Sequence, residues 1–228
     1  KQLLFSEPIV ERLGGKHELL CTSREYDEVS KLSKIRHFDL IFVGKHGGSD
    51  KKSKLKASIE RIEKLSKKIK RFEPDLVISY GSPEAARISF GLGIKHIMFC
   101  DSPHANAVMR LTVPLIQKLL IPHVIPKKEF SKYGINEKNI VQYKAIDAVV
   151  TMKRKIEKNI DSPFKNNNNK NILIRVEEEE AAYTSKSSKI IPIIQKIAND
   201  YKEENILVLA RYTKQIINLQ KVIGSKIK

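Results

Sequence analysis

An α/β fold on a parallel sheet is what this sequence predicts, and three observations predict it. Short apolar runs of strand length alternate with segments whose apolar residues recur every three or four positions. The runs read as continuous hydrophobic stretches, as strands buried on both faces do. Helices of ten or more residues separate them, which implies right-handed crossovers between parallel strands. At 228 residues the chain allows one large domain or two small ones, and 41% hydrophobic residues excludes wholesale disorder. No run approaches the ~20 apolar residues needed to cross a bilayer. The richest, residues 111–126, is broken by Lys118 and His123.

Taken in order, Leu3, Leu4, Phe5, Ile9, Val10 and Leu13 predict an opening helix closed by Gly14-Gly15. Residues 17–22 and 38–43 are the first two strands. Residues 51–71 form a long helix whose apolar stripe is Leu55, Ile59, Ile62, Leu65, Ile69 and Phe72. Its other face is almost all lysine, with Glu60–Lys64 and Glu63–Lys67 at the favourable four-residue spacing. Pro74 ends it, and residues 75–79 are the next strand. Ser82 is placed to cap the following helix and Pro83 to occupy its first turn. That helix runs to Phe90 and stops at Gly91-Leu92-Gly93. Residues 94–100 are a further strand, and a helix over 105–120, kinked at Pro114, follows.

From Pro163 the composition turns to a polar, asparagine-rich linker over 163–171. Beyond it the alternation restarts: strand 172–176, helix 187–201, strand 206–210, then a helix from Thr213 to Gly224. The domains are therefore 1–162 and 172–228, the second breaking off after about two strand–helix units. Both ends read as interior to something longer.

Lys and Arg number 43 against 26 Asp and Glu, a formal charge of +17. The excess favours anionic partners such as nucleic acid, phosphosugars or anionic lipid. Abundant Lys, Ile and Asn are equally what a biased genome produces, so both readings stand. Cys21 and Cys100, without a secretory signal, point to a reducing cytoplasm.

In open parallel sheets ligands bind outside the carboxyl ends of the strands, which selects four loops. The first is Gly44-Lys45-His46-Gly47-Gly48, where glycines can let backbone N–H groups approach an anion; a tight turn with a surface histidine fits as well. In the second, Ser82 and Glu84 either help hold an anion at a helix start or only cap and complement the helix. In the third, Asp101-Ser102-Pro103-His104, an acid and an imidazole can act on a sugar hydroxyl, with Asn106 and Arg110 close behind. Capping of the next helix by Asp101 or Ser102 is the alternative. The fourth holds Glu177 to Glu180, which could coordinate a cation, pair with Lys across the cleft, or form a solvated loop. The six histidines are scattered and neither cysteine has a partner at ligand spacing, so no metal site is expected, and no cofactor.

The segments GKHGG (44–48), SPEAAR (82–87), FGLGI (90–94), DSPHA (101–105) and RLTVPL (110–115) together resemble a mostly archaeal family of unknown function. EEEAAY (178–183) and ARY (210–212) fit it too. That family is glycosyltransferase-like, with the GT-B architecture of two Rossmann-like domains. It is similar to the non-hydrolysing UDP-N-acetylglucosamine 2-epimerases and to the lipid-linked N-acetylglucosaminyltransferase of peptidoglycan synthesis. The resemblance implies a Rossmann-like first domain, here lacking its first strand, and the start of a second.

It further implies a nucleotide-activated sugar as donor and a sugar or lipid-linked acceptor. Asp101 or His104 would be base or acceptor anchor. His46, Gly47, Gly48, Ser82, Glu84, Asn106 and Arg110 would line the cleft, with Arg175 and Arg211 facing it from the second domain. The rivals are a nucleotide-sugar 2-epimerase and a basic, non-catalytic module binding nucleic acid or an anionic membrane. Few aromatics and no nucleic-acid motif weigh against nucleic acid. Residues 111–126 beside the lysine-rich helix would suit peripheral contact with an anionic membrane. The chain alone is expected to be inactive, because the donor site is missing, and poorly soluble, because the loss of a mid-sheet strand leaves its neighbours unpaired.

Overall fold

The computed structural model describes residues 2–48, 50–152, 162–164, 167–176, 190–210 and 213–223. The chain divides into two units, Lys1–Lys155 and Ile156–Lys228. The first unit opens with α1 (Gln2–Gly14), β1 (Thr22–Glu25), α2 (Asp27–Ile35) and β2 (Ile41–Lys45). The 22-residue α3 (Lys51–Phe72), β3 (Leu76–Tyr80), α4 (Pro83–Leu92) and β4 (Lys95–Phe99) follow. Then come α5 (Asn106–Thr112), β5 (Lys118–Pro122), α6 (Lys128–Ser131), β6 (Ile140–Tyr143) and α7 (Asp147–Met152).

Every strand pair is parallel. β1 pairs with β2, and β3, β4, β5 and β6 form a four-stranded sheet in that order. Among the described residues no ladder joins β1 to β3. The second unit repeats the pattern with β7 (Asn171–Arg175), α8 (Ile190–Asp200), β8 (Asn205–Leu209) and α9 (Thr213–Ile223), β7 and β8 being parallel.

Local signals explain most element ends. The Asp50 carboxylate accepts from Ser53 N at 2.7 Å and caps α3; Ser82 Oγ accepts from Ala85 N at 3.3 Å and caps α4. Gly93 ends α4 in the left-handed conformation, φ +70°, where a Cβ would be strained.

Three expectations are corrected. The helix over 105–120 ends at Thr112, because Pro114 offers no N–H to continue it. A 3-10 turn, Val113–Leu115, leads into β5. Gln117 then clamps the strand onto β4: its N donates to His96 O at 3.1 Å and its Oε1 accepts from His96 N at 2.6 Å. Val113, Ile116, Leu119 and Ile121 thus join Met98, Met109, Phe130 and Ile140 in the main core, while Leu111 and Val124 of the same stretch stay exposed. Next, the strand expected over 17–22 begins only at its last residue, Thr22, and runs on to Glu25; pairing with β2 starts at the Cys21 carbonyl, which accepts from Ile41 N at 2.9 Å. Leu19 and Leu20 instead line a small cleft with Val10 of α1. Last, the apolar stripe of α3 is buried only in its later part, at Leu65 and Ile69, with Val43 and Ile88. Leu55 and Ile59 remain exposed.

Candidate functional site

The carboxyl ends of the first unit's strands carry two contiguous groups of polar side chains. The first surrounds the α4 N-terminus. Glu84, 3% exposed, accepts from Arg24 at the end of β1 and from Ser58 Oγ of α3 at 2.7 Å. Arg61, 6% exposed, donates through Nη1 to the Val43 carbonyl of β2; its Nε has no hydrogen-bond partner among the described residues. Burial raises the Glu84 carboxyl, but the Ser58 hydrogen bond and the two guanidiniums outweigh it and hold it below its ordinary range. Burial likewise lowers Arg61, against the pull of Glu84. Ser82 Oγ reaches Glu84 Oε2 at 3.4 Å. Both oxygens of the Glu84 carboxylate are thus engaged, Oε1 by Arg24 and Ser58 and Oε2 by Ser82.

Beside this group the β2 turn is shaped by backbone demands. A Cβ on Gly47 would lie 2.5 Å from Ser53 O and 2.7 Å from Lys54 Cα, and Gly48 has φ +70°. Gly48 N donates to His46 Nδ1 at 3.2 Å, and the His46 ring lies 5.2 Å from that of Tyr26.

The second group sits at the ends of β3, β4 and β6. The Tyr80 and Tyr143 hydroxyls both donate to the two oxygens of a buried Asp147, and Asp101 is also within hydrogen-bond reach of the Tyr80 hydroxyl. Phe5 of α1 packs edge-on against Tyr80 and Phe99, with ring centroids at 5.2 and 5.1 Å. Burial first, then the neighbouring carboxylates, raises both phenols far above their ordinary value, so they stay neutral donors. Ser102 Oγ donates to Asp101 Oδ1 at 2.8 Å. Half-buried Asp101 is thus an oriented acceptor at the edge of a rigid aromatic floor, able to take a proton from a hydroxyl brought to it.

Of the residues the sequence singles out, Asp101, Ser82, Glu84, His46, Gly47 and Gly48 lie along this one edge of the sheets. His46 lies against Tyr26, Glu84 joins Arg24, Ser58 and Ser82, and Asp101 lies beside Tyr80. His104, Asn106 and Arg110 are exposed; Asn106 is held by the Tyr133 hydroxyl, itself 3.0 Å from Pro103 O. Arg175 is exposed at the end of β7 in the second unit. Arg211 and residues 177–183 lie outside the described residues. Sequence reasoning missed Arg24, Ser58, Arg61, Tyr143 and Asp147. Reading residues 140–143 as a strand would have selected the last two by the same carboxyl-end rule.

A two-unit parallel α/β fold with polar groups gathered at the strand ends is the class defined so far. Solved structures share it. The UDP-GlcNAc 2-epimerase from Neisseria meningitidis bound to UDP-GlcNAc aligns with a TM-score of 0.73, 17% identity, and 97% of this chain against 67% of that one. The enzyme from Rickettsia bellii also gives 0.73, at 12% identity over 100% and 65%. The epimerase from Methanocaldococcus jannaschii gives 0.59, at 16% identity over 100% and 69%. The fold is thus the GT-B, Rossmann-like one. Within it, the chain belongs to the family described as protein of unknown function (DUF354), whose model matches residues 5–225. The uncharacterised protein MJ0665 of M. jannaschii is 33% identical over 117 residues, which is 51% of this chain; the chain spans only about a third, 34%, of that relative.

Proposed function

We propose that this chain belongs to an enzyme that handles a nucleotide-activated sugar, transferring it to a sugar or lipid-linked acceptor. The first unit would be the acceptor side and the second the start of the donor side, with 163–171 as the linker. The single observation carrying this reading is the array Asp101, Tyr80, Asp147 and Tyr143. It offers one accessible carboxylate, held by the Ser102 hydroxyl beside two phenols that donate to the buried Asp147, where a ligand meets the strand ends.

In this reading Asp101 accepts the proton of the attacking hydroxyl, and Ser102 holds the carboxylate in place beside Tyr80. His104, Asn106 and Arg110 meet the acceptor from the exposed side, while Arg175 and Arg211 would meet the donor's phosphates. His46, Gly47 and Gly48 shape the cleft wall. Glu84 and Ser82 support it mainly by fixing β1 to α4.

A second reading, epimerisation of the nucleotide sugar itself, is favoured by the paired carboxyls of Asp101 and Asp147 at one phenol. Such a pair can remove a proton and return it.

Calorimetric titration of the full-length protein with UDP-, GDP- and dTDP-sugars is the test. Heat with one of them is expected. Asp101→Asn should retain that binding and lose at least ~100-fold in turnover, the usual contribution of a positioned base. No heat with any nucleotide sugar overturns the proposal. Product analysis without added acceptor separates epimerisation from transfer.

A further inference from the structure

We infer that the first half of α3 is a docking surface for an anionic lipid bilayer, with Leu55 and Ile59 entering the headgroup region. The helix sits on β2 and α4 through Arg61, Leu65 and Ile69, which all lie on one stripe. Leu55 and Ile59 fall off that stripe, one helical turn apart, and are 62% and 59% exposed. Around them Lys51, Lys52 and Lys56 are exposed and Lys54 is half-buried.

Opposing charge on this half is limited to Asp50 and Glu60, and the Asp50 carboxylate is engaged in the cap. Apolar side chains ringed by long basic ones are what an interfacial helix presents: the apolar pair enters the acyl boundary while the ammonium groups stay at the phosphates.

Nucleic acid would use the lysines but leave Leu55 and Ile59 without a role, and this half of α3 offers no aromatic ring for a base to stack on. A symmetric second copy would bring like-charged lysines face to face. Lipid uses both features at once. The proposal is independent of the sugar chemistry, and either can fail alone.

The test is co-sedimentation of the full chain with phosphatidylglycerol–phosphatidylcholine vesicles and with pure phosphatidylcholine vesicles, at low and high salt. Binding to the anionic vesicles is expected, weakening about tenfold or more in Leu55→Ser/Ile59→Ser and again in Lys51→Gln/Lys52→Gln/Lys56→Gln. The chain has no Trp, so Leu55→Trp supplies a reporter in an otherwise native protein. Its emission should shift to the blue on anionic vesicles alone.

No sedimentation with anionic vesicles overturns the inference. So does binding that survives both sets of substitutions, binding with no shift at position 55, or a dimer that Leu55→Ser/Ile59→Ser dissociates.

Discussion

Around β4 and β5 the first unit buries Met98, Leu119, Ile121 and Phe130 in one apolar cluster of eleven residues. Around β1 and β2 the apolar cluster is only Val43, Leu65, Ile69 and Ile88, and the ionic group Arg24, Glu84, Arg61 and Ser58 is interred beside it. Dispersion and water exclusion have no preferred direction, so the larger cluster tolerates reshaping. A buried ion pair stabilises little against an apolar substitute, yet losing one partner strands a charge. The packed interior of the four-stranded part is therefore tolerant, whereas the two-stranded part is specific and fragile.

The sharpest way to break that comparison is Glu84→Ala, which leaves Arg24 and Arg61 without their carboxylate. It should cost about 3–5 kcal/mol in urea unfolding. A loss under ~1 kcal/mol would mean that the ionic group does not hold β1 to α4. Leu119→Ala, fully buried in β5, should cost roughly 2–5 kcal/mol, with the lower end expected if the core closes over the gap. Its cost should be unchanged between pH 6 and 8, since no charge is involved.

The third effect separates the two parts by pH. His96 in β4 is 0% exposed; its Nε2 lies 2.8 Å from Ser79 Oγ, and its Nδ1 has no hydrogen-bond partner among the described residues. Burial lowers its pKa to about 4 from 6.5. The unfolded chain therefore takes up a proton that the folded one refuses. Stability from this group is complete above about pH 6.5 and falls as pH drops toward 4, by up to ~3 kcal/mol.

The Glu84 contribution has the opposite origin, a lowered carboxyl, and persists until pH falls below its unfolded value near 4.5. Urea midpoints for the native chain and His96→Leu should converge in slope below pH 4 and differ between 6.5 and 4. Identical pH profiles across that window would show that His96 titrates normally.

Much of the architecture was legible before any coordinates. Ser82, Pro83 and Gly93 mark α4 from end to end. β5 was not legible, since KLLIP reads equally as helix or strand until Gln117 is seen bonded to His96. The α3 stripe misled for a different reason: Leu55 and Ile59 lie turned away from the Arg61, Leu65 and Ile69 face that packs, and spacing alone does not say which part of a broad stripe a neighbour covers. In the site, the loop carrying Asp101 could be selected by its place after an apolar strand. Tyr143 and Asp147 beside it were passed over because residues 140–143 were not read as a strand.

The sequence by itself determined the parallel strand–helix rhythm and the positions of the polar turns, because caps, left-handed glycines and apolar spacing act within a few residues. Tertiary structure alone decided which polar groups meet. Arg24 and Glu84 are 60 residues apart, and Tyr80 and Asp147 are 67 apart. Pairings at that range follow from how sheets and helices pack around a shared core, and no local pattern carries that information.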